Sequence, residues 1–136
     1  MPSLVIVIAI LFAAVGLLMV GLAIPLKRRR IAPNQTYGLR TAATFADEWV
    51  WYEANARSGR DLAIFGVIQS LVAVLPPLLM DLRPNVAAIV YLAVNVALGA
   101  IGPVSVTIVG CLRANQLLRE RRSRFPIKNN SGSAHD

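Results

Sequence analysis

The sequence predicts an all-α membrane protein, with three transmembrane helices plus a short amphipathic cytoplasmic helix between the first and second. Three observations carry this. The 136 residues are 56% hydrophobic and 15% charged, against about 25% charged in an ordinary soluble domain. The apolar residues form long uninterrupted runs rather than alternating with polar ones, and the mean hydropathy is +0.58, which is the pattern of membrane spans. Of the 14 basic residues, only Arg83 lies between the second and third runs.

The first span is predicted over residues 3–26, the second over 62–80 and the third over 86–112. A helix of about 20 residues crosses the roughly 30 Å hydrocarbon core at 1.5 Å per residue, and each run reaches that length. The first run is expected to be a retained span rather than a cleaved signal peptide. Nothing basic precedes it, and the cluster Lys27, Arg28, Arg29, Arg30 follows it, the reverse of a signal peptide's order. It contains Gly16 and Gly21, small residues of the kind that let helices approach in lipid. Pro25 is expected to end or bend the helix, and Pro76-Pro77 to kink or stop the second span. In the third span Asn95, Gly99 and Pro103 are four residues apart and share a face. That face suits packing against another helix, and Gln69 and Asn95 are expected to make interhelical hydrogen bonds.

Basic residues in short flanking loops stay in the cytoplasm. The first loop (27–61) and the C-terminus are therefore expected inside, with the N-terminus and Asp81–Asn85 outside. This is the topology expected of a multi-pass membrane protein. The basic excess reads as a topology signal and a contact for anionic headgroups, not for nucleic acid. Residues 1–128 are expected to form a single membrane domain, and the polar tail 129–136 to be disordered. The lone Cys111 forms no internal disulfide, and no cofactor or metal site is expected. No Ser/His/Asp, Cys/His, metal-ligand or phosphate-cradling pattern is present, and the single His135 lies in the tail. The chain is not expected to be an enzyme.

The 27–61 loop carries the information. Pro33 pushes Ala32 out of helical geometry, Asn34 favours a turn through its own side chain, and Gly38 permits backbone angles that other residues resist. Arg40 ends the turn with five donors. It serves either to recognise a partner or to clamp the turn, and the nearby carbonyls and Asp47-Glu48 favour the clamp. Thr44 and Asp47 resemble a capping box. A helix is expected from Phe45 to Ser58, stopped by Gly59, with Phe45, Trp49, Tyr52 and Ala56 on one face. It is expected to lie on the inner leaflet and pack with the turn as one cap, anchored at the interface by Trp49 and Trp51.

The stretch Pro33-Asn34, Tyr37-Gly38-Leu39-Arg40-Thr41, followed by Thr44, Glu48, Trp51, Asn55 and Gly59, resembles the signature of the SdpI family. That signature runs approximately P-N-x-x-Y/F-G-I/L-R-T-P-x-T, then E-x-x-W-x-x-x-N and a glycine. Ala42 stands where the family usually has proline, and the chain has fewer spans than the family's namesake. The resemblance implies three spans joined by the motif loop, with the motif residues structural or partner-binding. It also implies immunity to a peptide toxin, or membrane signalling through a cytoplasmic regulator, as for the namesake. A small transport or channel component working as a homo-oligomer is the alternative.

Overall fold

The computed structural model describes residues 2–79 and 86–125. The expected turn Asp81–Asn85, Lys128 and the tail 129–136 lie outside the described residues. Four helices follow one another: α1 Pro2–Lys27, α2 Ala42–Ala46, α3 Glu48–Leu79 and α4 Val86–Arg124. The helices α1, α3 and α4 are each long and apolar enough to cross a membrane. The 32 residues of α3 and 39 of α4 amount to about 48 and 58 Å, well beyond the roughly 30 Å hydrocarbon core. Both therefore project past it.

The surplus lies at one end. Glu48, Glu53, Arg57, Arg60 and Asp61 fall in the first turns of α3, and Arg113 to Arg124 in the last turns of α4. The expected helix over Phe45–Ser58 is thus divided. Its start belongs to α2, and its remainder is the beginning of α3, which runs without a break through Gly59. Gly59 is not a stop. A Cβ there would lie 2.8 Å from Lys27 N and 2.9 Å from Ala23 O, so it is a glycine because the backbone of α1 occupies that space. The chain also runs helically through Pro25 and through Pro76-Pro77.

α1 packs chiefly along α3, α4 packs along a neighbouring face of α3, and α1 and α4 touch more sparsely. Small residues make the first contact possible. Ala9, Gly16 and Ala23 recur every seven residues on α1 and all are buried. A Cβ on Gly66 would lie 2.5 Å from Gly16 O. The Ser70 hydroxyl crosses to α1, 3.2 Å from Ala13 O. Without a hydrophobic drive between helices in lipid, such close backbone approach supplies the packing energy. On α4 the buried stripe is Tyr91, Asn95, Gly102, Val106, Gly110, Ala114 and Leu117, which has the spacing of one helix face. Asn95 is fully buried and accepts a 3.0 Å hydrogen bond from Gln69 Nε2. The expected interhelical bond is there. Gly99 and Pro103 sit only at the stripe's edge, half-buried.

The end of α1 is made by residues rather than by Pro25. Arg29 has φ 53°, Arg29 N–H donates to Leu26 O (3.0 Å) and Arg30 N–H to Pro25 O (3.1 Å). This is a Schellman closure with arginine at the left-handed position that glycine usually takes.

Candidate functional site

The motif folds into a turn seated on the end of the bundle. Its organiser is Asn34. The side-chain oxygen of Asn34 accepts from Thr36 N–H (2.9 Å) and Tyr37 N–H (2.7 Å), while Nδ2 donates to Ala32 O (2.8 Å). Pro33 starts this Asx turn, as its fixed backbone predicts. Tyr37 OH donates to Leu22 O near the end of α1, and burial pushes the Tyr37 phenol above its ordinary pKa. Gly38 follows with φ 105°, and a Cβ on it would lie 2.6 Å from Asn55 Oδ1. Here glycine is required on two counts, the backbone angle and the space.

Asn55 then holds the chain by the backbone of Leu39. Its Oδ1 accepts from Leu39 N–H at 2.5 Å, and its Nδ2 reaches Leu39 O (3.4 Å) and Trp51 O (3.0 Å). Asn55 is 3% exposed, so the side-chain amide acts as a buried peptide group that completes the turn's hydrogen bonding. The Leu39 side chain enters the core with Ala43, Val50, Ala54, Ala114 and Leu117, and touches the space kept open by Gly110. Trp51 is fully buried. Its Nε1 donates to Ile31 O (2.9 Å), and its ring meets Phe45 at 5.4 Å. Trp51 is therefore a strut inside the protein, not the interfacial anchor expected; Trp49 is the exposed tryptophan. The buried face of the α3 start comprises Val50, Trp51, Ala54, Asn55 and Ser58, rather than Trp49, Tyr52 and Ala56.

The capping box is displaced by one turn from its expected place. Thr41 is the N-cap of α2, with reciprocal bonds Thr44 N–H to Thr41 Oγ1 (3.2 Å) and Thr41 N–H to Thr44 Oγ1 (2.8 Å). Thr44 is buried and its hydroxyl also lies 3.1 Å from Leu39 O. Asp47 instead caps α3, accepting from Trp49 N–H (2.9 Å) and Val50 N–H (3.2 Å). Glu48 is exposed in the first turn of α3, where a negative charge complements the helix dipole. Arg40 is exposed and donates to Gln35 O. That closes the turn on itself, and Arg40 does not reach Asp47 or Glu48.

Ion pairs tie the projecting helix ends together. Arg121 Nε bonds Asp47 Oδ2 at 2.7 Å, and its guanidinium lies 5.1 Å from the Trp49 ring and 5.7 Å from the Phe125 ring. Burial raises the Asp47 pKa, but the Arg121 hydrogen bond, those from the Val50 and Trp49 amides and the Arg121 charge outweigh it, leaving it below the usual carboxylate value. Arg113 pairs with Asp61, and Arg29 and Arg57 both pair with Glu53. Sequence reasoning missed these pairs and the wedge role of Leu39. The absence of proline between Pro103 and Pro126 was the available signal that α4 runs on. A leucine inside a polar stretch was the signal for the wedge.

The site thus joins all the motif residues, directly or through Leu39, to the end of the three-helix bundle, with Glu48 and Arg40 at its surface. No curated protein and no solved structure matches the chain. Residues 30–111, from the start of the motif turn through most of α4, match the profile of one family. That match covers more than half of the chain, and with the three spans it shows that this integral membrane protein belongs to the SdpI/YfhL protein family.

Proposed function

We propose that the chain is a multi-pass protein of the bacterial cytoplasmic membrane, with its N-terminus outside and the motif end in the cytoplasm. There it meets an acidic partner, in immunity to a peptide toxin or in membrane signalling, and catalyses no reaction. The observation that carries this reading is the charge at the motif end. Asp47, Glu53 and Asp61 are each neutralised by an arginine. Lys27, Arg28, Arg30, Arg119, Arg122 and Arg124 are exposed there and have no acidic partner among the described residues. A surface with exposed cations in excess favours an acidic partner and speeds encounter with it. The motif's polar groups are consumed in folding the turn, which supports a docking role over catalysis. The transport alternative is less favoured, because Gln69 and Asn95 bond each other inside the bundle instead of lining a path.

Two experiments test it together. Reporter fusions at residues 40 and 130 should both read cytoplasmic; a periplasmic signal at 40 overturns the orientation. Expression in a bacterium sensitive to the toxin countered by the family's namesake should permit growth under challenge. The triple change Arg119→Gln, Arg122→Gln, Arg124→Gln should abolish that protection with the protein still in the membrane. Protection that survives the triple change sinks the charged-partner reading, and no protection by the wild type sinks immunity.

A further inference from the structure

At the basic end of the bundle a cleft of about 240 Å³ separates α1 from α4. Leu22 and Leu26 form one wall, Val106, Thr107 and Pro103 the other, and Leu62 of α3 the floor. The motif turn, through Tyr37, Gly38 and Leu39, closes its basic end. Leu22 is 45% exposed and Thr107 is exposed, so the cleft opens sideways, toward the surface that lipid covers.

Its depth identifies the surroundings. Arg113 and Lys27 mark the interface, and from Arg113 to Pro103 the helix rises about 15 Å, half of the roughly 30 Å hydrocarbon core. The cleft therefore spans the acyl region of one leaflet. Its volume falls below the roughly 300–1,000 Å³ of pockets that enclose a whole drug-sized ligand, so it suits a chain segment. Ser58 is in its wall near the interface, between Arg57 and Arg60, and its hydroxyl has no hydrogen-bond partner among the described residues. Lys27, Arg28 and Arg30 follow Leu26, are exposed and have no acidic partner among the described residues, so positive charge stands at the end of α1 beside the cleft, at the depth of a phosphate.

We propose that this cleft is a binding site for one acyl chain of an anionic phospholipid, whose headgroup meets the cations at the end of α1. The inference rests on the cleft and its rim; it shares Lys27, Arg28 and Arg30 with the acidic-partner reading, whose own test is made at Arg119, Arg122 and Arg124. It makes the motif turn a lid over a lipid tail, with Gly38 and Leu39 in contact with the chain.

The test uses the full chain in phosphatidylethanolamine nanodiscs containing a few per cent of phosphatidylglycerol with a diazirine on one acyl chain. After irradiation, the label should concentrate on Leu62 and Pro103–Thr107, several-fold over the lipid-facing positions Ile89 and Val90. Thr107→Trp and, from the opposite wall, Leu22→Trp should each lower cleft labelling at least fivefold and leave Ile89 and Val90 unchanged. The same diazirine chain on phosphatidylcholine should label the cleft at least threefold less, and the double change Lys27→Gln, Arg30→Gln should erase that difference. Labelling spread evenly over the exposed apolar surface, or indifferent to both tryptophans, overturns the site. Label missing from the cleft but normal elsewhere means that a protein segment covers it, which also overturns the proposal. Equal labelling by the two headgroups overturns the anionic requirement.

Discussion

Replacing Asn55 tests the physical basis of the motif. Asn55→Ala removes the acceptor of the 2.5 Å bond from Leu39 N–H and the donor to Leu39 O and Trp51 O. The two carbonyls keep other partners, Leu39 O through the Thr44 hydroxyl and Trp51 O through the helix. The Leu39 N–H keeps none. A buried orphan donor costs about 1–3 kcal/mol, and the atoms removed from a site 3% exposed bring the expected loss to about 2–4 kcal/mol. Denaturant titration of purified protein in mixed micelles measures it, with the exposed Asn115→Ala as control at under about 0.5 kcal/mol. Asn55→Asp adds a sign. It keeps the acceptor but faces two carbonyls with an oxygen, so its folded pKa rises above the ordinary value of about 3.9. The penalty is then absent below that pH and grows as pH rises. Asn55→Asp should approach wild type near pH 4 and approach Asn55→Ala near pH 8. An Asn55→Ala loss below about 0.5 kcal/mol, or a flat pH response of Asn55→Asp relative to wild type, would refute the reasoning.

Glycine substitutions should divide by what the added carbon meets. Gly66→Ala, aimed at Gly16 O, should cost about 1–3 kcal/mol, whereas Gly21→Ala, with nothing within 4 Å, should be neutral or stabilise by up to about 1 kcal/mol; equal effects would show that the crossing is misplaced. Gln69 Oε1 is buried with no donor among the described residues and lies 3.9 Å from a Cβ placed on Gly99. Gly99→Ser can supply a hydroxyl there and should stabilise by about 0.5–1.5 kcal/mol, where Gly99→Ala does not gain that bond. Arg40→Ala should cost only about 0.5–1 kcal/mol, because the side chain is exposed and closes a single carbonyl contact; a loss of 3 kcal/mol would reveal a partner beyond Gln35. Asp47 has a folded pKa below its ordinary 3.8, so its stabilisation is present above that value and fades as pH falls through the folded pKa. Below pH 4 the wild type should lose more stability than Asp47→Asn, which retains a capping oxygen; parallel losses would remove the Arg121 pair from the explanation.

The three spans were legible because lipid imposes long apolar runs, and a short stretch of sequence suffices to see them. The turn was legible in part. Pro33, Asn34 and Gly38 act locally, on their own backbones, and each does what its chemistry predicts. The roles that went wrong depend on distant neighbours. Gly59 carries a stop signal by local rules, yet it is a glycine because Lys27 and Ala23 lie against it. Trp51 has the amphipathic character of an interfacial residue, but the carbonyl of Ile31 gives its N–H a partner inside the protein. Asp47 was read with Thr44 three residues before it, while its cap runs forward to Trp49 and Val50 and its ion pair comes from Arg121. Leu39 is an apolar residue in a polar turn, and its place is set by Gly110 and Ala114, far along the chain, which leave room for it.

The packed turn can be tested most directly by hydrogen exchange at the Leu39 amide, followed by fragmentation mass spectrometry of residues 33–45 in nanodiscs. That amide is buried and bonded to Asn55, whereas the Thr36 amide bonds Asn34 at an exposed position. Leu39 should exchange at least a hundredfold more slowly than Thr36, and the protection should vanish in Asn55→Ala with the spans still protected. Exchange at Leu39 as fast as at Thr36 in the wild type would mean that the motif is an open loop and that α3 does not hold it.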